Sequence, residues 1–137
     1  MSDTKTLYTA AVHVTGGRDG AARSSDGRLD VKLSTPGAPG NGTNPEQLFA
    51  AGWSACFQGA MGIAAKAKGI ALPPELAIDA EVALRQGDDG YALAARLNVH
   101  LPGVDPDVAR QIIEAAHRTC PYSKAIKGNI DAVVALV

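Results

Sequence analysis

The stretch Asn44-Pro-Glu-Gln-Leu-Phe-Ala-Ala-Gly-Trp-Ser-Ala-Cys-Phe-Gln-Gly-Ala-Met-Gly-Ile-Ala65 decides how the chain is organised. Asn44 suits a helix cap, Pro45 fits a first turn, and Glu46 meets the positive end of the helix dipole. The pattern predicts a helix running to about Lys68, with Gly69 ending it. From Leu33 to Ala65 the only charged residue is Glu46. A helix that is apolar on every side is covered on every side. One chain of 137 residues can hardly provide that cover, so a second subunit is expected. Small residues at Ala51, Gly52, Ala55, Gly59 and Ala60 would admit another backbone closely, which predicts a tight homodimer.

The rest of the chain is read around this helix. Leu7 to Val14 reads as a strand, and Gly16-Gly-Arg-Asp-Gly20 as a turn needing special backbone angles. Ala21 to Ser25 and Arg28 to Ser34 flank Asp26-Gly27, a two-residue hairpin signal. Thr35 to Asn44 is an irregular loop. Beyond Pro73-Pro74, apolar residues alternate from Leu76 to Leu84 and again from Tyr91 to Leu101, with Gly87-Asp-Asp-Gly90 between them. That is a hairpin with one buried face. Asp105-Pro106 opens a second helix bearing Val108 and Ile112, which Pro121 stops. Ile130 to Val137 reads as a last strand. The order βββ-α-ββ-α-β predicts an α+β fold of antiparallel sheets packed on two main helices, with residues 1–137 as one domain.

Composition narrows the function. Thirteen basic and fourteen acidic side chains, interspersed to a net charge of −1, give no support for a nucleic-acid or membrane surface. The uncharged run from Gln47 is broken by Ser, Gln and Gly, so no membrane-spanning segment is expected. The polar start Met1-Ser-Asp-Thr-Lys-Thr6 lacks the apolar core of a secretory signal, which predicts a cytoplasmic protein. Thiols there are kept reduced, so a cycling disulfide is more plausible than a structural one.

Two cysteines carry the chemistry. Cys56 lies inside the apolar helix, deep in a wall. Cys120 lies at the hinge-like end of the second helix, in Arg118-Thr-Cys-Pro-Tyr-Ser-Lys124, with Pro121 and a non-helical Tyr122-Ser123 giving it freedom to move. A thiol reacts as thiolate, and burial beside Trp53, Phe57 and Met61 raises its pKa. Ten residues into its helix, Cys56 gains little from the dipole, so it needs a cation. Arg18, held among glycines, is the candidate, because a guanidinium stays charged when partly buried. Glu46 is the candidate partner for Arg18. It stands about 15 Å from Cys56 along a helix axis, so either Arg18 spans the gap or Glu46 and Arg18 come from another subunit. Cys120, at a negative helix end, is a poor first nucleophile and a reasonable second one.

Gly16-Gly-Arg-Asp-Gly20, Thr43-Asn-Pro-Glu-Gln-Leu-Phe-Ala-Ala-Gly-Trp-Ser-Ala-Cys-Phe57 and Thr119-Cys-Pro-Tyr-Ser-Lys-Ala-Ile-Lys-Gly-Asn129 resemble the organic hydroperoxide resistance (Ohr) branch of the OsmC/Ohr family. The resemblance runs in order over essentially the whole chain. It implies a thiol peroxidase reducing organic hydroperoxides, fatty-acid hydroperoxides among them. It also implies an intertwined homodimer and re-reduction by dihydrolipoyl groups of lipoylated proteins. By position Cys56 matches the peroxidatic cysteine and Cys120 the resolving one, joined to it in an intramolecular disulfide, while Arg18 and Glu46 match the activating pair. Trp53 stands where the family often has Tyr. No metal, flavin or haem is needed, since sulfur carries the two electrons. Two alternatives stand beside this reading: an OsmC-type hydroperoxidase with another substrate range, and a non-enzymatic redox sensor. His13, His100 and His117 show no metal-ligand spacing, and His117 near a helix C-terminus reads as a welcome surface cation.

Overall fold

The computed structural model describes residues 4–137; Met1 to Asp3, at the polar start, lie outside the described residues. The chain divides into two compact units, the first ending at Pro45 and the second spanning Glu46–Val137. The α+β class holds, with two three-stranded sheets and three α-helices among the described residues.

The first unit is a small antiparallel sheet of β1 (Val12–Thr15), β2 (Ala21–Ser24) and β3 (Asp30–Lys32), in that order. The strand expected from Leu7 begins only at Val12. Just before it, Ala11 O still accepts from Ser25 N–H (2.9 Å), but the paired register begins at Val12, and Leu7 and Tyr8 are exposed. Between β1 and β2 the glycine-rich turn forms a single 3₁₀ turn, Gly17–Asp19, entered through Gly16 at φ 72°. The turn closes on itself so tightly that a Cβ on Gly20 would lie 1.7 Å from the carbonyl oxygen of Thr15. The hairpin between β2 and β3 is wider than the two residues expected. Ser24 N–H still donates to Leu29 O (2.8 Å), while Asp26 Oδ1 accepts from Ser24 Oγ (2.6 Å) and from Arg28 N–H (3.0 Å). The aspartate thus rounds the turn through its side chain, and Gly27 at φ 73° completes it.

The second unit is built on α1 (Pro45–Ala67), which ends at Gly69 with φ 69° as the sequence predicts. By length and composition α1 could cross a membrane, contrary to the sequence reading. Its one broad face, Trp53, Phe57, Ala60, Met61 and Ala65, is instead packed in a protein core. The other side of that core comes from β4 (Ala77–Gly87) and β5 (Gly90–His100), an antiparallel pair in register from Ala77↔His100 to Gly87↔Gly90. Leu97 and Val99 of β5 are fully buried, and Ile78, Ala80 and Val82 of β4 pack beside them, so the period-two pattern points the expected face inward. Ile112, Ile113 and Ala116 of α2 (Pro106–Thr119) complete the core.

Two details differ from the sequence reading. Pro121 does not simply end α2; it opens a third helix, α3 (Pro121–Ile126), so Tyr122 and Ser123 are helical. Lacking an N–H, proline cannot continue α2, but its fixed φ suits the first position of a new helix. The last strand, β6 (Asp131–Leu136), pairs parallel to β5, from Ala94↔Asp131 to Val99↔Leu136. The α2–α3 segment carries the chain back across the sheet, and such a crossover delivers a parallel strand.

Candidate active site

Cys56 and Cys120, sixty-four residues apart in sequence, face one another with sulfurs 3.4 Å apart, both as free thiols. The α2–α3 junction sets this position. Cys120 is at once the last cap of α2, its N–H donating to Ala116 O (2.7 Å), and the first cap of α3, its carbonyl accepting from Lys124 N–H (2.9 Å). Its backbone (φ −60°, ψ 123°) is the extended form that a following proline imposes. Cys120 therefore has both backbone groups bonded and its side chain 0% exposed, while Cys56 is only partly buried. This reverses the expected contrast: the helix thiol is the accessible one, and the junction thiol is held. The reason is that α3 folds back over the junction in place of a loose end.

Burial, followed by the facing Cys120 thiol, pushes the Cys56 thiol above its ordinary value, while a hydrogen bond from the backbone N–H of Tyr122 pulls it down. The expected electrostatic need is therefore present. A closed disulfide has sulfurs about 2.05 Å apart, so about 1.4 Å of approach separates the two states.

Around the sulfurs lie aromatic rings. Phe49 stacks on Trp53 (5.9 Å between centroids) and on Tyr122 (6.2 Å). The Tyr122 hydroxyl fills the space above Gly52, where a Cβ would come within 2.8 Å of it. Trp53 Nε1 donates to Ser123 Oγ (3.0 Å), and His117 Nδ1 stands 3.0 Å from the same oxygen. Neither Ser123 nor this use of His117 is anticipated from the sequence. The available signal is Trp53, since a buried indole N–H needs an acceptor. His117 also departs from its expected role as a welcome cation: burial, with Lys127 nearby, lowers its pKa below 6.5.

The other two candidates lie in other segments of the chain. Arg18 sits at the tip of the 3₁₀ turn of the first unit. The turn is pinned there by Asp19, whose Oδ1 accepts from the N–H and the hydroxyl of Thr35 (3.0 and 2.9 Å), bonds that also hold its carboxyl below the ordinary range. Glu46 lies in the first turn of α1, the same helix as Cys56. Among the described residues no three His, Cys, Asp or Glu side chains are grouped to hold a metal ion.

The sequence model of the OsmC-like protein family matches residues 38–134. The chain belongs to the OsmC/Ohr family. It is similar to an organic hydroperoxide resistance protein of Xanthomonas axonopodis pv. citri, 48% identical over 139 residues, covering 98% of each chain. It is also similar to OhrB of Bacillus subtilis, 41% identical over 133 residues, covering 95% of this chain and 98% of that one. The crystal structure of Bacillus subtilis OhrB superposes with a TM-score of 0.91 over 96% of this chain and 100% of that one, at 40% identity. The chain thus stands with the Ohr branch of the OsmC/Ohr family, as its three motifs imply.

Proposed function

We propose that this OsmC/Ohr member is a thiol-dependent peroxidase that reduces organic hydroperoxides, including those of fatty acids, to alcohols. The observation that carries the reading is the pair of free thiols 3.4 Å apart, one accessible and one held behind it. Relatives named for organic hydroperoxide resistance support the choice of substrate.

The Cys56 thiolate attacks the distal oxygen of R–O–O–H. The O–O bond breaks, the alkoxide leaves as alcohol with a proton, and Cys56 becomes a sulfenic acid. The Cys120 sulfur then attacks the Cys56 sulfur. An S–S bond forms, the S–O bond breaks, and the hydroxyl departs as water with the Cys120 proton. An external dithiol, for which dihydrolipoyl groups of lipoylated proteins are the proposed source, returns two electrons and restores both thiols. The thiol raised by burial needs a positive charge to ionise, and we assign that to Arg18, oriented by Glu46. The alkyl part of the substrate suits the partly exposed aromatic rings of Phe49 and Tyr122.

The proposed working form is a cytoplasmic homodimer. One face of α1 is exposed and apolar, through Ala51, Ala55, Gly59 and Ile63, the last 74% exposed. A second copy packed on these small residues would bury that face.

The test is a peroxidase assay with cumene hydroperoxide and hydrogen peroxide as oxidants, and dihydrolipoamide and glutathione as reductants. The organic hydroperoxide with dihydrolipoamide should turn over fastest. Cys56→Ser should consume none, and Cys120→Ser should form sulfenic acid once and then stop with dithiol. A Cys56→Ser protein as active as the parent sinks the proposal, and oxidation limited to one equivalent would make the protein a sensor.

A further inference from the structure

We propose that Ser123 and His117 are positioning residues that hold Cys120 against Cys56, acting through the indole of Trp53. The proposal rests on the peroxidase reading above for the identity of the reaction it serves.

Trp53 and Cys56 lie three residues apart on α1, and Cys120 and Ser123 three apart at the start of α3. The two helices therefore meet at two neighbouring points. One is sulfur to sulfur at 3.4 Å, and the other is indole nitrogen to hydroxyl oxygen at 3.0 Å. The second contact is a fixed fastening beside the first, which must open and close during the reaction.

The direction of its hydrogen bonds follows from chemistry. An indole N–H only donates, so Ser123 Oγ accepts from Trp53 and keeps its own hydrogen to give. The acceptor 3.0 Å away is His117 Nδ1, which can accept only in a neutral ring protonated at Nε2. Trp53 is 0% exposed and Ser123 1%, so water does not stand in for these partners. The chain Trp53 to Ser123 to His117 ties α1, α3 and α2 together around the two sulfurs. A protonated His117 would turn Nδ1 into a donor. Two donors would then point at one hydroxyl oxygen, whose hydrogen loses its acceptor.

The groups around the ring can be named element by element. Lys127, just beyond α3, acts on it by charge. Glu114 lies one turn before it on α2 and Cys120 at the cap that ends α2, and α1 presents the uncharged ring of Phe57, 6.2 Å away between centroids.

The experiment measures closure of the disulfide apart from the first oxidation. Reduced protein is mixed with one equivalent of cumene hydroperoxide, quenched with dimedone at intervals, and read by mass spectrometry as thiol, trapped sulfenic acid and disulfide. A parallel arm uses diamide, which takes up two electrons and two protons as the thiols join and needs no peroxidase activity. Ser123→Ala and His117→Phe should slow closure about tenfold in both arms, with sulfenic acid formation unchanged in the first. His117→Asn offers an acceptor near the Nδ1 position and should close within about twofold of the parent. Below pH 6.5, the ordinary histidine value, closure in the parent should fall more steeply than in His117→Asn. Far-ultraviolet circular dichroism checks the fold, and if Ser123→Ala is unfolded, the two His117 variants decide. Closure at the parent rate in His117→Phe, or equal slowing in His117→Asn and His117→Phe, overturns the proposal. Normal behaviour in the diamide arm with no peroxide consumption would overturn the peroxidase reading alone.

Discussion

At the scale of single residues, space and hydrogen bonding decide more than residue type. Gly20 has a negative φ (−113°), and what it lacks is room for a side chain: the Thr15 carbonyl oxygen occupies the place of its Cβ. Gly20→Ala must therefore reopen the turn that carries Arg18. We expect a loss of about 2–3 kcal/mol in denaturant unfolding, together with a drop in the proposed peroxidase activity through the role proposed for Arg18. Gly52 offers a contrast, because the group above it is the end of the half-exposed Tyr122 side chain, which can swing away. Cys120 shows the same logic on the backbone. Its sulfur is aimed by two helices that end and begin on it, and the proline after it enforces the break.

At the scale of elements, α2 and α3 act as one arm that carries Cys120 to α1. The arm is anchored at its start by Asp105, whose Oδ1 accepts from the N–H groups of Asp107 (2.9 Å) and Val108 (3.3 Å). Asp105→Ala removes this cap and should cost about 1 kcal/mol, seen as a lower thermal midpoint with the chemistry intact. The arm also explains the sheet. Its residues span the distance from the end of β5 back to the start of β6, so β6 enters parallel to β5 rather than as a third hairpin strand. The β4–β5 pair needs no such device, since a two-residue turn at Asp88-Asp89 joins it.

At the scale of the whole molecule, the exposed apolar face of α1 and the acid sensitivity of the core are the two features to test. We expect a dimer in sedimentation at micromolar concentration, and a strict monomer there would remove the proposed partner for that face. The pH dependence has a definite sign. His117 has a folded pKa below its ordinary 6.5, so just below that value the unfolded chain binds more protons than the folded one. Stability should therefore fall as pH drops from 6.5, until His117 itself is protonated. Asp19 and Asp26, with carboxyls held below the ordinary 3.8, contribute a separate loss only at and below that range. Denaturation midpoints between pH 5 and 7 should show the first slope in the parent and lose it in His117→Asn.

Much of this was legible in the linear chain because it depends on local chemistry. The length and glycine stop of α1, the alternation of Ile78 to Val82 against Ala95 to Val99, and the turn at Gly16 to Gly20 are all properties of short windows. So were Cys56 and Cys120 as candidates, whose sulfurs the fold brings to 3.4 Å, with burial raising the first. Three things depended on contacts between distant segments. Which thiol is held and which is accessible was decided by α3 folding back at Pro121, where proline is equally a stop and a start. The parallel entry of β6 was decided by the crossover length, which no period within a strand records. The bonds from Trp53 to Ser123 to His117 join residues up to seventy positions apart, and a hydroxyl or an imidazole shows its partner only when the chain has folded around it.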